Sequence, residues 1–195
     1  MKVVITGSGS PNEKGHVLGK WLLNCFPNDE VISLSRVTGY DFYHNYDEIV
    51  SIAKTADLFI NSSCVDNFQS KLLRDVYGYV PYMIVMGSIV GDLHPALNYD
   101  YSKIKAELKE ECRLIPLRQQ NSSTTLLHIT PTTAESIEDG TEGIRQSDIA
   151  NIIKFWFDNP AVSNIDCKFF IPADPIRGQA KITKINKILA YYNVP

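Results

Sequence analysis

The chain has no apolar run near the roughly 20 residues that a membrane-spanning helix needs, so no membrane partner is expected. It also lacks any block of basic residues. Nineteen lysines and arginines stand against 22 acidic residues, a formal net charge of −3, which argues against a phosphate-backbone surface and so against nucleic acid. Metal-site spacing is missing too. The four cysteines (Cys25, Cys64, Cys112, Cys167) lie far apart, with no Cys-x-x-Cys pair and no Cys/His cluster. The expectation is reduced thiols in a cytoplasmic protein, with no metal. A strand pattern begins at residue 2, so no signal peptide is expected, and the glycosylation-type triplets at Asn61 and Asn121 carry nothing.

What is present is ordinary in amount and particular in order. At 195 residues, 44% hydrophobic and 21% charged, the chain suits one soluble domain with a full core. Lys2 to Thr6 is a β-branched run that reads as a buried strand ending at Gly7. A polar loop with Gly9, Ser10 and Gly15 follows. A helical pattern then starts at Val17, with Gly19 inside it and Leu22 and Cys25 on one face. Strand, glycine-rich loop and helix form a dinucleotide-binding unit: glycines let backbone approach a pyrophosphate, and the helix N-terminus supplies N–H donors. A triphosphate-binding loop is the rival. It fails because Gly19-Lys20 is followed by Trp21 where a magnesium-binding hydroxyl is required.

The second strand, Val31 to Arg36, ends where the adenosine ribose of such a cofactor lies. An acid there suits the ribose diol of NAD, whereas Ser35-Arg36 suits the 2′-phosphate of NADP. NADPH is therefore expected over NAD. Gly39 to Phe42 reads as a short extended piece, Tyr46 to Lys54 as a helix, and Asp57 to Ser63 as a strand with a polar end. Asn67 to Tyr79 can form one helix. Helix after Lys105 is expected to stop before Pro116. Thr124 to Thr130 is a further strand, Ser147-Asp148 caps a helix, and Cys167 to Ile171 is the last strand. Residues 132–143 are polar and contain two glycines, which suits a substrate lid, and 174–195 forms a C-terminal extension with a closing helix near Ile182 to Leu189.

The stretch Met83 to Lys105 carries the chemistry. Met83-Ile84-Val85-Met86 is a strand buried on both faces, and Ser88 stands where it releases the chain. Tyr101 and Lys105 are four residues apart, so on a helix the phenol and the ammonium share a face. Lysine's charge would lower the tyrosine pKa, and the serine could hold a substrate oxygen while the tyrosine moves its proton. Tyr99 and Lys103 form a second, overlapping pair.

Together these motifs resemble the short-chain dehydrogenase/reductase family along almost the whole chain. Thr6-Gly7 through Gly15 to Gly19 resembles its cofactor loop, although longer. Asp41 is similar to the aspartate that touches adenine, and Asn61-Ser62-Ser63-Cys64 stands where the family has Asn-Asn-Ala-Gly. Asn67 resembles the asparagine of the catalytic tetrad, and Ser88, Tyr101 and Lys105 match its other members. Pro131-Thr132-Thr133 stands where the family holds the nicotinamide carboxamide. The intervals from Ser88 to Tyr101 and from Lys105 to Pro131 match the family's, which favours Tyr101 over Tyr99. The resemblance implies a doubly wound parallel α/β sheet, a Rossmann fold, as one domain over residues 1–195. It also implies an NADPH-dependent oxidoreductase that interconverts a carbonyl and an alcohol on a small molecule, working as a homo-oligomer. The alternatives are a nucleotide-sugar epimerase or dehydratase, and an NADP-binding regulator without turnover.

Overall fold

The computed structural model describes residues 1–7, 17–92, 94, 96, 99–131, 146–159 and 165–168. Its centre is β1 (Lys2–Thr6), whose consecutive β-branched residues leave no polar face and which is paired on both edges. One edge carries β2 (Glu30–Leu34). The other carries β3 (Leu58–Asn61), then β4 (Tyr82–Met86), β5 (Thr125–Thr130) and β6 (Ile165–Lys168). The sheet order is β2-β1-β3-β4-β5-β6, and every pairing is parallel.

Parallel neighbours need long crossovers, and the ones described here are helical. They are α1 (Val17–Asn24), α2 (Tyr46–Ala53), α3 (Phe68–Val76), α5 (Asp100–Arg118) and α6 (Gln146–Asp158), with a short α4 (Ile89–Asp92) ahead of α5. Alternate strand residues feed opposite layers. Val4, Phe59, Met83 and Leu126 pack against α2, α3 and α5. Val3, Ile60, Ile84 and Leu127 pack against Leu22 of α1 and Ile149, Ile153 and Trp156 of α6. This is the doubly wound sheet expected from the sequence. From β1 the chain winds first to β2 on one side and then back to β3 on the other. The carboxyl ends of β1 and β3 therefore flank the crevice where open α/β sheets bind ligands.

Several boundaries differ from the sequence reading. Helix α5 runs through Pro116 to Arg118. A proline in the last turn removes only one helical bond, and Cys112 and Ile115, buried on the sheet, hold that turn in place. Gly39 to Phe42 adds no strand. Arg36–Thr38 forms a 3-10 turn ended by Gly39 at φ +93°, and Tyr40 N–H donates back to Ser35 O at 2.9 Å, so the chain curls away from the sheet edge. The last strand among the described residues begins at Ile165, two residues ahead of the expected start at Cys167, and residues 169–171 of that expectation lie outside the described residues. The segments read as a lid (132–143) and as an extension (174–195) lie outside the described residues.

Candidate active site

At the crevice, Gly7 leaves β1 with φ +71°. A Cβ there would lie 2.5 Å from Ser63 Cα and 2.7 Å from Ser63 N, so only glycine lets the two strand exits come this close. Thr6 ties them together: its hydroxyl accepts from Ser62 N at 3.2 Å and donates to Ile60 O at 3.4 Å. A cavity of about 550 Å³ opens beside them, lined by Gly7, Ser35, Arg36, Val37, Tyr40, Phe42 and Ser62 to Val65. Arg36 is exposed on its wall at the end of β2, with Ser35 buried beneath it. Asp41 is not part of the lining. Its carboxylate accepts from Tyr43 N at 2.8 Å and so shapes the turn that leads into α2. Gly19 lies early in α1. Gly9, Ser10, Gly15, Thr132 and Thr133 lie outside the described residues.

The second half of the site stands at the exit of β4. Gly87 N donates to Ile129 O at 2.8 Å and Ile89 N to Pro131 O at 3.1 Å, which fastens this exit to that of β5. Ser88, half-buried, lies beside the Tyr101 phenol and favours its ionised form. Tyr101 is 39% exposed near the start of α5, and one turn on Lys105 is 3% exposed, its ammonium 5.7 Å from the Tyr101 ring centroid. Gly91 of α4 packs directly on the Lys105 backbone, where a Cβ would lie 2.7 Å from Lys105 C. An ion pair between Lys109 and Asp92 holds α4 and α5 together.

Lys105 donates to Gln69 Oε1 at 2.7 Å and to Met86 O at 3.2 Å. Gln69, fully buried, donates through Nε2 to Asn61 O and Met86 O, both at 2.8 Å, and Asn61 Nδ2 donates to Gln69 O at 2.8 Å. The amide at the lysine is therefore that of Gln69. Asn67, the residue matched by resemblance, is exposed at the N-cap of α3 with no side-chain cap bond. Sequence reasoning missed Gln69, although a signal existed. Gln69, Leu72, Leu73 and Val76 stand at i, i+3, i+4 and i+7, which puts a polar amide on a helix face that is otherwise core.

The two tyrosines stand in different surroundings. Tyr99 is the extended N-cap residue of α5, and Ser102, fully buried, donates from its hydroxyl to Tyr99 O at 2.8 Å. Lys103 is exposed. The serine next to that lysine is thus committed to the helix start.

Charge at the site does not follow the simple sequence expectation. Burial pushes the Tyr101 phenol above its ordinary value of 10, and the neighbouring Ser88 hydroxyl offsets this in part. Burial also pushes Lys105 below its ordinary value of 10.5, opposed by the Cys64 and Cys112 thiols. Among the described residues no carboxylate pairs with it. Cys64, on the cavity wall, has its thiol pushed up by burial, with Lys105 acting the other way.

The crevice fits a dinucleotide. Gly7 keeps the backbone bare where β1 ends, and Arg36 offers a cation on the cavity wall. Ser63 Oγ and Thr130 Oγ1 are buried at the strand exits with no hydrogen-bond partner among the described residues.

No family model matches the sequence, and a comparison with curated proteins finds no match. Solved structures do match the fold. A short-chain dehydrogenase from Burkholderia cenocepacia J2315 in complex with NADP is 13% identical with a TM-score of 0.65, over 100% of this chain and 98% of that one. Serine dehydrogenase from Escherichia coli is 14% identical with a TM-score of 0.65, over 87% and 97%. A 3-ketoacyl-(acyl-carrier-protein) reductase from Brucella melitensis complexed with NADH is 13% identical with a TM-score of 0.59, over 86% and 95%. The fold is that of the short-chain dehydrogenase/reductase structures.

Proposed function

We propose that the protein is an NADPH-dependent oxidoreductase that interconverts a carbonyl and an alcohol on a small-molecule substrate. The observation that carries this reading is the Ser88–Tyr101–Lys105 cluster at the exit of β4, in a sheet whose crevice at β1 and β3 fits a dinucleotide. The solved structures that share the fold are described as dehydrogenases and reductases, some with NADP or NADH bound, which supports a nicotinamide cofactor. When bound, that cofactor supplies or accepts the hydride. Gly7, Ser62, Ser63 and Arg36 would hold it, with Asn61 bracing the strand exit from beneath. Ser88 holds the substrate oxygen. Tyr101 gives that oxygen its proton in reduction and takes it back in oxidation. Lys105 supplies positive charge below the phenol, which favours the phenolate once the proton has left.

The preference for NADPH rests on Ser35 and Arg36 on the cavity wall, where no acidic residue stands among the described residues. The test titrates the purified protein with NADPH and NADH by fluorescence and follows NADPH oxidation across a panel of carbonyls. The expected outcome is tighter NADPH binding and turnover of at least one carbonyl. Arg36→Ala should weaken NADPH while leaving NADH nearly unchanged. Equal curves for the two cofactors in the unaltered protein remove the NADPH preference. Binding without oxidation across the whole panel identifies a cofactor-binding protein without turnover.

A further inference from the structure

Lys105 is a buried cation with no carboxylate partner among the described residues, a costly arrangement unless neutral acceptors compensate for the lost water. Two acceptors do so. Gln69 Oε1 lies 2.7 Å from the ammonium, a direct contact that leaves no space for an intervening water, and Met86 O lies at 3.2 Å. Gln69 is itself held fast. Its Nε2 spends both donors on Asn61 O and Met86 O, which fixes the amide with its oxygen toward the lysine. The ammonium therefore has two of its three donors committed inward and one for whatever binds outside. The titratable groups around it are Tyr101 and Cys112 on its own helix and Cys64 on the β3–α3 loop. Asp92 of α4 is engaged by Lys109.

We propose that Gln69 is a positioning residue that holds Lys105 charged and oriented by direct contact, so that the proton-transfer group Tyr101 works against a fixed cation. This rests on the oxidoreductase reading and deepens it. Without the Gln69 oxygen, the ammonium keeps one carbonyl partner in the same buried place. Its charged form is then less favoured, and the support it gives a Tyr101 phenolate falls with it. Gln69→Met keeps the volume and the fully apolar stem but removes the acceptor. Gln69→Asn is one methylene shorter, so the amide falls short of the ammonium and leaves room for a water to bridge.

The experiment reads Lys105 directly. In protein carrying ¹³C-labelled lysine, the resonance lost in Lys105→Met belongs to Lys105, and its titration is followed without cofactor. Gln69→Met should lower the Lys105 pKa by about one unit, and Gln69→Asn should restore part of that shift. In turnover, Gln69→Met should reduce kcat by about ten- to a hundredfold. The alkaline limb of its pH profile should move upward by about half a unit. A Lys105 pKa unmoved in both variants, with unchanged pH profiles, overturns the proposal even if both melt at lower temperature. If Gln69→Met does not fold, Gln69→Asn decides alone, by a lowered or an unmoved Lys105 pKa. The oxidoreductase reading fails separately, if Tyr101→Phe retains full turnover.

Discussion

Tyr99 and Tyr101 are two residues apart with rings stacked at 6.4 Å, yet their surroundings assign them different work. Tyr101 meets Ser88 and stands one turn above a buried lysine, whereas Tyr99 begins the helix beside an exposed Lys103. Tyr101→Phe keeps the ring and removes the proton donor, so NADPH oxidation should fall about a hundred- to ten-thousandfold with cofactor affinity nearly unchanged. Tyr99→Phe should stay near full activity. A dead Tyr99→Phe with an active Tyr101→Phe would transfer the role to Tyr99. Lys105 offers a test that needs no substrate. Its folded pKa lies below the ordinary 10.5, so the unfolded chain holds that proton more tightly. The penalty is full below the folded pKa, and stability is regained as pH rises through that value toward 10.5. Lys105→Met lacks this slope. Its melting temperature relative to the unaltered protein should therefore be most favourable near about pH 7 and lose ground toward about pH 10. A difference that stays constant across that window would remove the depressed pKa.

Helix α4 is short and docks closely on α5. It has four residues, and its Gly91 would place a Cβ 2.7 to 2.9 Å from Lys105 C, Lys105 O and Ala106 N, all of them backbone atoms that cannot swing aside. Gly91→Ala must push α4 off α5 and carry the Ser88 turn with it, because Gly91 N is bonded to Ser88 O at 3.0 Å. Overpacking of this kind costs about 1–3 kcal/mol. Urea unfolding should show that loss, and turnover should fall beyond what the remaining folded fraction explains. A variant as active as the unaltered protein would show that Ser88 does not depend on this contact.

At the scale of the whole molecule, the layers set both the crevice and the surface. Helices α3 and α5 lie side by side on one layer, and an ion-pair chain joins them: Arg74 to Glu111 at 3.4 Å and Glu111 to Arg118 at 2.8 Å. The family resemblance places subunit pairing on the two helices that begin near Asn67 and Lys105, and we expect a homo-oligomer formed through them. Light scattering at micromolar concentration should give a mass above the 21.9 kDa of one chain. A monomeric mass would count against the pairing. Among the described residues no helix is long and apolar enough to cross a membrane.

Much of the fold was legible in the sequence, because its signals are local. A β-branched run makes a strand, a 3.6-residue apolar repeat makes a helix, and their alternation requires parallel crossovers. Gly7 after β1 and Ser88 after β4 could be placed at strand exits for the same reason. Boundaries failed where local rules met tertiary support, as at Pro116, where buried Cys112 and Ile115 carry the helix past a proline. The site was legible as residue types and spacing, but its partners were not. Gln69 and Lys105 are 36 residues apart, and they meet only because β3, β4, α3 and α5 converge beneath the crevice. Tertiary structure alone decided that the amide at the lysine is Gln69, that the Asp41 carboxylate accepts from Tyr43 N, and that burial raises the Tyr101 pKa. Each of these depends on which groups lose water and which groups replace it, and sequence spacing does not record that.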